Sequence, residues 1–131
     1  MKAEVTWIED LKFVGKTDKN QEITMASGDS TIVSPMEMVL MAAGGCSSVD
    51  VVDGLKTAGQ KVSSVNAKLS TERRETAPRI FTAVNIHFVV SGEQLDEAIV
   101  AKVTADSLEK YCSVCLMLGA GVEMTHSWEI V

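Results

Sequence analysis

Three cysteines are the side chains of this chain with the most obvious chemical potential. Cys46 lies in a long apolar segment, and Cys112 and Cys115 form a Cys-x-x-Cys motif within "YCSVC". A thiolate is a nucleophile and a metal ligand, and two thiols at this spacing can close a small redox-active disulfide. An odd number of cysteines is not the pattern of a secreted disulfide framework. The possibilities are therefore thiol redox chemistry, metal binding, or packing as small buried apolar residues.

The segment that carries Cys46 has the pattern of a capped helix. Ser34 is placed as N-cap, Pro35 as the first helical residue, and Glu37 as the partner of Ser34 in a capping box. From residue 36 to residue 55 the segment is apolar on nearly every side, which is typical of a helix that protein encloses on most of its faces. The sequence therefore predicts a central helix with Cys46 near its middle.

The two glycines directly before Cys46 predict close packing around this part of the helix. In the interior of a helix, Gly44 and Gly45 each lower the stability of the helix by about 1 kcal/mol relative to alanine. A close approach by another backbone would offset that cost, so we expect a crowded helix crossing at this point.

Cys112 and Cys115 fall at the start of a second, shorter helix. "YCSVCLMLGAG", residues 111 to 121, predicts a short apolar helix that ends at glycine. Unpaired N–H groups and the helix dipole favour a thiolate at such an N-terminus, so from its position Cys112 is the better activated cysteine. Cys115, one turn later, is placed in the core. The alternative is that Cys112 and Cys115 are a redox pair, although the preceding strand of a thioredoxin-like unit is missing.

The remaining patterns predict the elements that must position these helices. Strands are predicted in the N-terminal third, and residues 62 to 73 and 80 to 90 are predicted to form a hairpin around "ETAP". Ser91 and Gln94 are expected to form a second capping box before an amphipathic helix. Residues 122 to 130 are expected to form the last strand. Segregated blocks of this kind predict an α+β fold with a mainly antiparallel sheet. With no linker or repeat, residues 1–131 are expected to form a single domain.

Other polar clusters offer weaker chemistry. The three cysteines with His87 or His126 would supply enough ligands for a zinc ion, but their spacing is not that of a typical zinc site. For His126 a hydrogen-bonded position in the core is the better interpretation. "ERRETAPR" clusters three arginines at the hairpin, as a solvated turn or as an anion site. There is no phosphate-binding loop, no Gly-x-Ser-x-Gly motif and no paired-carboxylate signature. We expect neither a metal nor a cofactor.

Composition excludes several partners. The formal net charge is −6 and the pI about 4.8, which disfavours nucleic acid and anionic lipid surfaces. The longest unbroken apolar run, residues 39 to 46, is shorter than the roughly 18 residues of a membrane span. The first ten residues, MKAEVTWIED, do not have the pattern of a secretory signal. These features predict a soluble, cytoplasmic protein.

Two segments together resemble a known family. "SPMEMVLMAAGGCS" and "KYCSVCLML" are similar to the OsmC/Ohr family of cysteine-based organic hydroperoxide reductases. The resemblance implies an intertwined α+β homodimer, with strongly curved, mainly antiparallel sheets wrapped around central helices. It also implies that Cys46 attacks the peroxide and becomes a sulfenic acid, that Cys112 condenses with it to a disulfide, and that a thiol reductant reopens this bond. The implied partners are a second copy, an organic hydroperoxide and the reductant.

The sequence departs from the family at the group that activates the first cysteine. Active members use an N-terminal arginine held by a glutamate directly after the helix-starting proline, whereas here Met36 follows that proline and no arginine precedes residue 73. The candidates for a supporting role are Glu37, Arg73, Arg74, Arg79 and Lys12. The alternative function is a non-catalytic dimer that binds a small apolar or thiol ligand in its cleft, lined by methionines 36, 38, 41 and 117.

Overall fold

The structure, a computed structural model, describes all 131 residues and has the α+β architecture that the sequence predicts. The strands are β1 (Ala3–Glu9), β2 (Lys12–Thr17), β3 (Glu22–Ala26), β4 (Lys61–Arg73), β5 (Phe81–Glu93) and β6 (Glu123–Ile130). The helices are α1 (Pro35–Thr57), α2 (Glu97–Asp106) and α3 (Ser113–Leu118), with a π-helical segment at Ser107–Tyr111. The chain divides into two compact units, Met1–Leu40 and Met41–Val131, and the boundary falls inside α1.

The first unit contains a three-stranded antiparallel sheet in the order β1-β2-β3. The indole Nε1–H of Trp7 donates to the carbonyl of Asp10 at 2.8 Å and braces the turn between β1 and β2. All seven residues of β1 are nevertheless exposed, among them the large apolar side chains of Val5, Trp7 and Ile8. An edge strand with this much uncovered apolar surface is typical of a surface that meets another chain.

The second unit contains the sheet β4-β5-β6, with β5 in the middle. The long hairpin of β4 and β5 is antiparallel, as predicted, whereas β6 pairs with β5 in parallel. Alternate residues of β5 point into the core, because a central strand presents one face to the helices. The buried ones are Phe81, Val84, Ile86, Phe88 and Val90.

Helix α1 begins where the capping pattern predicts. The backbone N–H of Glu37 donates to Ser34 Oγ at 3.1 Å, and the N–H of Ser34 donates to Glu37 Oε1 at 3.0 Å. These two hydrogen bonds satisfy donors that the first turn of a helix leaves unpaired, and they hold the pKa of the Glu37 carboxyl below its ordinary value.

The prediction that protein encloses α1 on most faces is wrong for a single chain. One stripe with a spacing of about one turn is buried: Ala43, Gly44, Ser47, Val51 and Leu55. Outside this stripe Val39, Met41 and Val49 are exposed, Val49 at 67%. By length and composition alone α1 is also the one helix that could cross a membrane, with a mean hydropathy of 1.4, and 28% of that window is buried. Helices at the centre of soluble domains pass the same test, so this property does not assign α1 to a membrane.

Glycines let α1 lie close to its neighbours, although through side chains rather than the predicted backbone approach. A Cβ on Gly44 would lie 2.7 Å from a methyl of Leu69, and a Cβ on Gly54 would lie 2.8 Å from a methyl of Val103. Gly45 has nothing within 4 Å, so the crowded crossing exists on one side of α1 only.

The second capping box, at Ser91 and Gln94, is a wrong prediction. Strand β5 continues to Glu93, because the hydroxyl of Ser91 pairs with Ser64 Oγ across the hairpin at 2.6 Å. Helix α2 begins at Glu97 instead, where Asp96 caps it by accepting from the N–H of Ala98 at 2.8 Å.

The contact between Gly54 and Val103 predicts a mutational cycle. Gly54→Ala should lower the free energy of unfolding by about 1 to 3 kcal/mol, because the short, stiff valine cannot move its methyl away. In a Val103→Ala background the same change should be neutral or stabilise by up to about 1 kcal/mol, since alanine is the better helix former. Urea denaturation of the four proteins measures both effects, and an equal cost in both backgrounds would contradict the proposed contact.

Candidate functional site

Cys46 and the distant Cys-x-x-Cys motif of Cys112 and Cys115 come together in the second unit. Cys46, on α1, is partly exposed, while Cys112 and Cys115 are buried. The Cys46 side chain is a neighbour of Cys112 and is one of the groups that raise the pKa of the Cys112 thiol. The Cys115 thiol points at the carbonyl of Ala43, with Sγ at 3.9 Å from the oxygen, less than one turn from Cys46. We call Cys46, Cys112 and Cys115 the thiol cluster.

The π-helical segment before Cys112 positions that residue. Its last turn closes with the N–H of Cys112 donating to the carbonyl of Ser107 at 2.7 Å. The buried hydroxyl of Ser107 lies 3.2 Å from the carbonyl of Ser47 and 3.1 Å from Asp50 Oδ2, so it joins this segment to α1. Sequence reasoning did not identify Ser107 or Asp50, since a serine and an aspartate so far apart carry no joint pattern.

Cys112 occupies the N-cap of α3, as predicted, yet its thiol is not activated there. Its Sγ accepts a hydrogen bond from the N–H of Cys115 at 3.4 Å. Burial nevertheless raises the pKa of the Cys112 thiol far above its ordinary value, and hydrogen bonds with Cys115 and Cys46 add to the increase. The expectation that Cys112 is the better activated cysteine is therefore wrong: desolvation outweighs the backbone donor at the end of a six-residue helix.

The thiol of Cys115, like that of Cys112, has a raised pKa. Burial raises the pKa of its thiol, the charges of Cys46 and Asp50 raise it further, and a hydrogen bond with Cys112 opposes them. No basic side chain of residues 41–131 contributes to the pKa of either buried cysteine. Both thiols therefore rest in the protonated form.

The three arginines that were candidates to support Cys46 make contacts within their own hairpin instead. Arg73 donates from Nε to the carbonyl of Arg79 at 2.8 Å, and Arg79 donates from Nε to the carbonyl of Arg74 at 3.1 Å. The Arg73 guanidinium also lies over the ring of Phe81, 5.7 Å from its centroid. These contacts favour the interpretation of "ERRETAPR" as a structured turn.

The other candidates to support Cys46, Glu37 and Lys12, also have partners elsewhere. Glu37 caps α1, and Lys12 forms an ion pair with Glu9 at 3.5 Å. His87 lies on the polar face of the second sheet, with Nδ1 at 2.7 Å from Ser127 Oγ and Nε2 at 3.3 Å from Glu129 Oε1. No three His, Cys, Asp or Glu side chains are arranged to hold a metal ion.

A groove of about 800 Å³ lies between α1 and α2 and begins beside the thiol cluster. Asp50 and Tyr111 line the end next to the cysteines, and Asp53, Lys102 and Asp106 line the rest among small and aliphatic residues. Lys102 and Lys110 hold the pKa of the Asp106 carboxyl below its ordinary value. The groove offers room for a small molecule within reach of the α1 segment that follows Cys46.

Comparisons with known proteins identify a matching family model, a relative in sequence and two structures with the same fold. A family model described as OsmC-like protein matches residues 28–127. The chain is 52% identical to protein YhfA of Escherichia coli K12, over 100% of this chain and 98% of that protein. A crystal structure of a hypothetical protein from Aquifex aeolicus VF5 superposes with a TM-score of 0.89 at 32% identity, covering 99% of this chain and 95% of that one. The organic hydroperoxide resistance protein OsmC of Legionella pneumophila shares the fold, with a TM-score of 0.76 at 12% identity and coverage of 98% and 95%.

The buried thiols predict how stability depends on pH. Below about pH 8.5, the ordinary pKa of a free cysteine, Cys112 and Cys115 are protonated in both the folded and the unfolded chain. Above it the unfolded chain releases these protons while the folded chain keeps them, so the free energy of unfolding falls as pH rises. Urea denaturation at about pH 7.5 and about pH 9.5 measures the decrease.

The matched control is the Cys112→Ala variant, in which the decrease should be smaller than in the wild type. Equal pH dependence of the two proteins would show that Cys112 does not titrate differently in the folded state.

Proposed function

The chain belongs to the OsmC-like protein family, and on that premise we propose that it reduces organic hydroperoxides with Cys46 and Cys112 and is returned to its thiol state by a thiol reductant. Family membership supports a redox or hydroperoxide-related role in general. The observation that carries the specific proposal is that Cys112 and Cys115 lie beside the α1 segment that bears Cys46: Cys115 Sγ is 3.9 Å from the carbonyl of Ala43, and Cys46 is near enough to raise the pKa of the Cys112 thiol.

Cys46 is the nucleophile in the proposed reaction. Its thiolate attacks one oxygen of the hydroperoxide, the O–O bond breaks, an S–O bond forms, and the other oxygen leaves as an alcohol after it takes up a proton. The sulfur loses two electrons and becomes a sulfenic acid. Cys46 suits this step because it is the one member of the thiol cluster that is partly exposed, so a small substrate can reach it.

Cys112 resolves the sulfenic acid. Its sulfur attacks the sulfur of Cys46, the S–O bond breaks, and the oxygen leaves as water with the proton of the Cys112 thiol. Burial favours this division of roles, because a thiol that stays protonated does not itself react with peroxide. A dithiol then reduces the Cys46–Cys112 disulfide and is oxidised in turn.

We propose further that the working unit is a homodimer in the cytoplasm. The OsmC-like fold is a soluble domain. Apolar side chains of β1 and of the uncovered face of α1 are exposed in a single chain, and a second copy would remove them from water. Arg73, Arg74 and Arg79 receive no catalytic role, because their contacts support the hairpin.

A second candidate function is ligand binding without catalysis. The absence of a basic group around the buried cysteines favours it, since a thiolate near no cation has little stabilisation. The ligand would be a small apolar or thiol compound held in a cleft at the dimer interface.

Two variants test the hydroperoxide reaction. With tert-butyl hydroperoxide and a dithiol, Cys46→Ser should lower the turnover rate by at least about 100-fold, because the nucleophile is missing. Cys112→Ser should keep the first oxidation, yielding a Cys46 sulfenic acid that dimedone labels, while it loses sustained turnover. Peroxide consumption and mass spectrometry provide the readouts.

The two functions give opposite results in this assay. Equal, background consumption by the wild type and by Cys46→Ser would reject the peroxidase and leave the ligand-binding function, which should survive in a protein with both cysteines changed to serine.

The dimer proposal makes its own prediction. Val49→Asp places a charge on the exposed face of α1, so it should convert the dimer to a monomer by light scattering after gel filtration. The control is Glu109→Ala, an exposed residue of the π-helical segment. A monomeric wild type, or a Val49→Asp protein that stays dimeric, would contradict the proposed interface.

A further inference from the structure

Cys115 is the one member of the thiol cluster that the proposed reaction does not use. Its position relative to Cys112 suits a disulfide: Cys112 is the N-cap of α3, Cys115 follows three residues later, and the Cys115 N–H donates to Cys112 Sγ at 3.4 Å. Residues three apart in a helix have Cβ atoms about 5 to 6 Å apart, whereas a disulfide requires roughly 4 Å. A local rearrangement of the first turn of α3 would therefore allow the two sulfurs to bond.

Cys115 also faces the same part of α1 as Cys112. Its Sγ lies 3.9 Å from the carbonyl of Ala43, and its thiol is close enough to Cys46 for the charge of Cys46 to affect it. Cys112 Sγ accepts a hydrogen bond from the Cys115 N–H, and Cys46 is near enough to raise the pKa of the Cys112 thiol. A sulfur with two neighbouring thiols can exchange its disulfide partner without a large movement of the chain.

We propose that Cys115 is a third redox-active cysteine, which transfers the disulfide from Cys46–Cys112 to Cys112–Cys115 and frees Cys46 for a second hydroperoxide. This step rests on the proposed function, because that reaction supplies the first disulfide.

The transfer is a thiol–disulfide exchange with no net oxidation. The Cys115 thiol loses its proton, its sulfur attacks Cys112 Sγ, the Cys46–Cys112 bond breaks, and Cys46 leaves as a thiolate that can take up a proton. One disulfide is broken and one is formed.

The burial of the three sulfurs gives the exchange its direction. Cys46 is the leaving group that water reaches most easily, while Cys112 and Cys115 are buried. A disulfide between the two buried sulfurs leaves no ionisable thiol in the core, whereas a Cys46–Cys112 disulfide leaves the buried Cys115 thiol there. The ring closed by Cys112–Cys115 is also local, so it requires no change in how α1 contacts α3.

The proposal predicts the stoichiometry of oxidation without reductant. Wild-type protein should consume two equivalents of tert-butyl hydroperoxide per chain: the first forms Cys112–Cys115, and the second oxidises the released Cys46 to a sulfenic acid. Cys115→Ala should stop after one equivalent, at the Cys46–Cys112 disulfide. The twofold difference is measured by titrating residual peroxide, and dimedone labels the sulfenic acid of the wild type.

A peptide map of the wild type tests the same step without a variant. After one equivalent of peroxide, an acid quench and alkylation with N-ethylmaleimide, trypsin releases Cys46 in residues 20–56 and both other cysteines in residues 111–131. The proposal expects peptide 111–131 with an internal disulfide and peptide 20–56 with an alkylated cysteine. A disulfide that joins the two peptides, with Cys115 alkylated, would overturn it.

The outcomes separate this proposal from the function on which it rests. One equivalent consumed by both proteins, with the two peptides joined, leaves the hydroperoxide reaction standing and rejects the transfer. No consumption by either protein rejects both. Two equivalents in the wild type and one in Cys115→Ala, with the internal disulfide, support the third cysteine.

Discussion

The contact of the π-helical segment and α3 with the middle of α1 is the interaction on which the site depends. Ser107 reaches α1 through the carbonyl of Ser47 and the carboxylate of Asp50, and Cys115 reaches it at Ala43. The contacts at Ser47 and Ala43 are buried, the one at Asp50 is partly buried, and the small residues of α1 allow the approach. Without them Cys46 would be an ordinary, partly exposed cysteine. With them its sulfur has a second thiol beside it.

The same contact explains why burial rather than the helix dipole decides the character of Cys112. A helix terminus stabilises a thiolate through a few partial charges, and a helix as short as α3 provides little of this effect. Removal from water acts on the whole charge of the thiolate. The outcome is a site with one accessible sulfur and two protonated ones. This asymmetry is more useful to a two-cysteine reaction than two activated thiols, which would both be oxidised at once.

The sequence predicts local features well and long-range ones poorly. The capping box at Ser34, the hairpin and the glycine that ends α3 are confirmed, because each depends on residues within one turn of each other. The box at Ser91 is wrong because a cross-strand hydroxyl pair, invisible in the local pattern, keeps that residue in β5. The candidate cysteines were identified by residue type, but their proximity depends on Ser107 and Asp50, which no spacing relates.

The π-helical segment has a consequence for how this chain can vary. It holds one residue more per turn than an α-helix would, and it ends directly at Cys112. A deletion of one residue there would restore α-helical winding and turn the next residue by about 100° around the axis, away from α1. The position of Cys112 beside α1 therefore constrains the number of residues between α2 and Cys112. Relatives that preserve thiol pairing should therefore align across this stretch without gaps, even where the side chains differ.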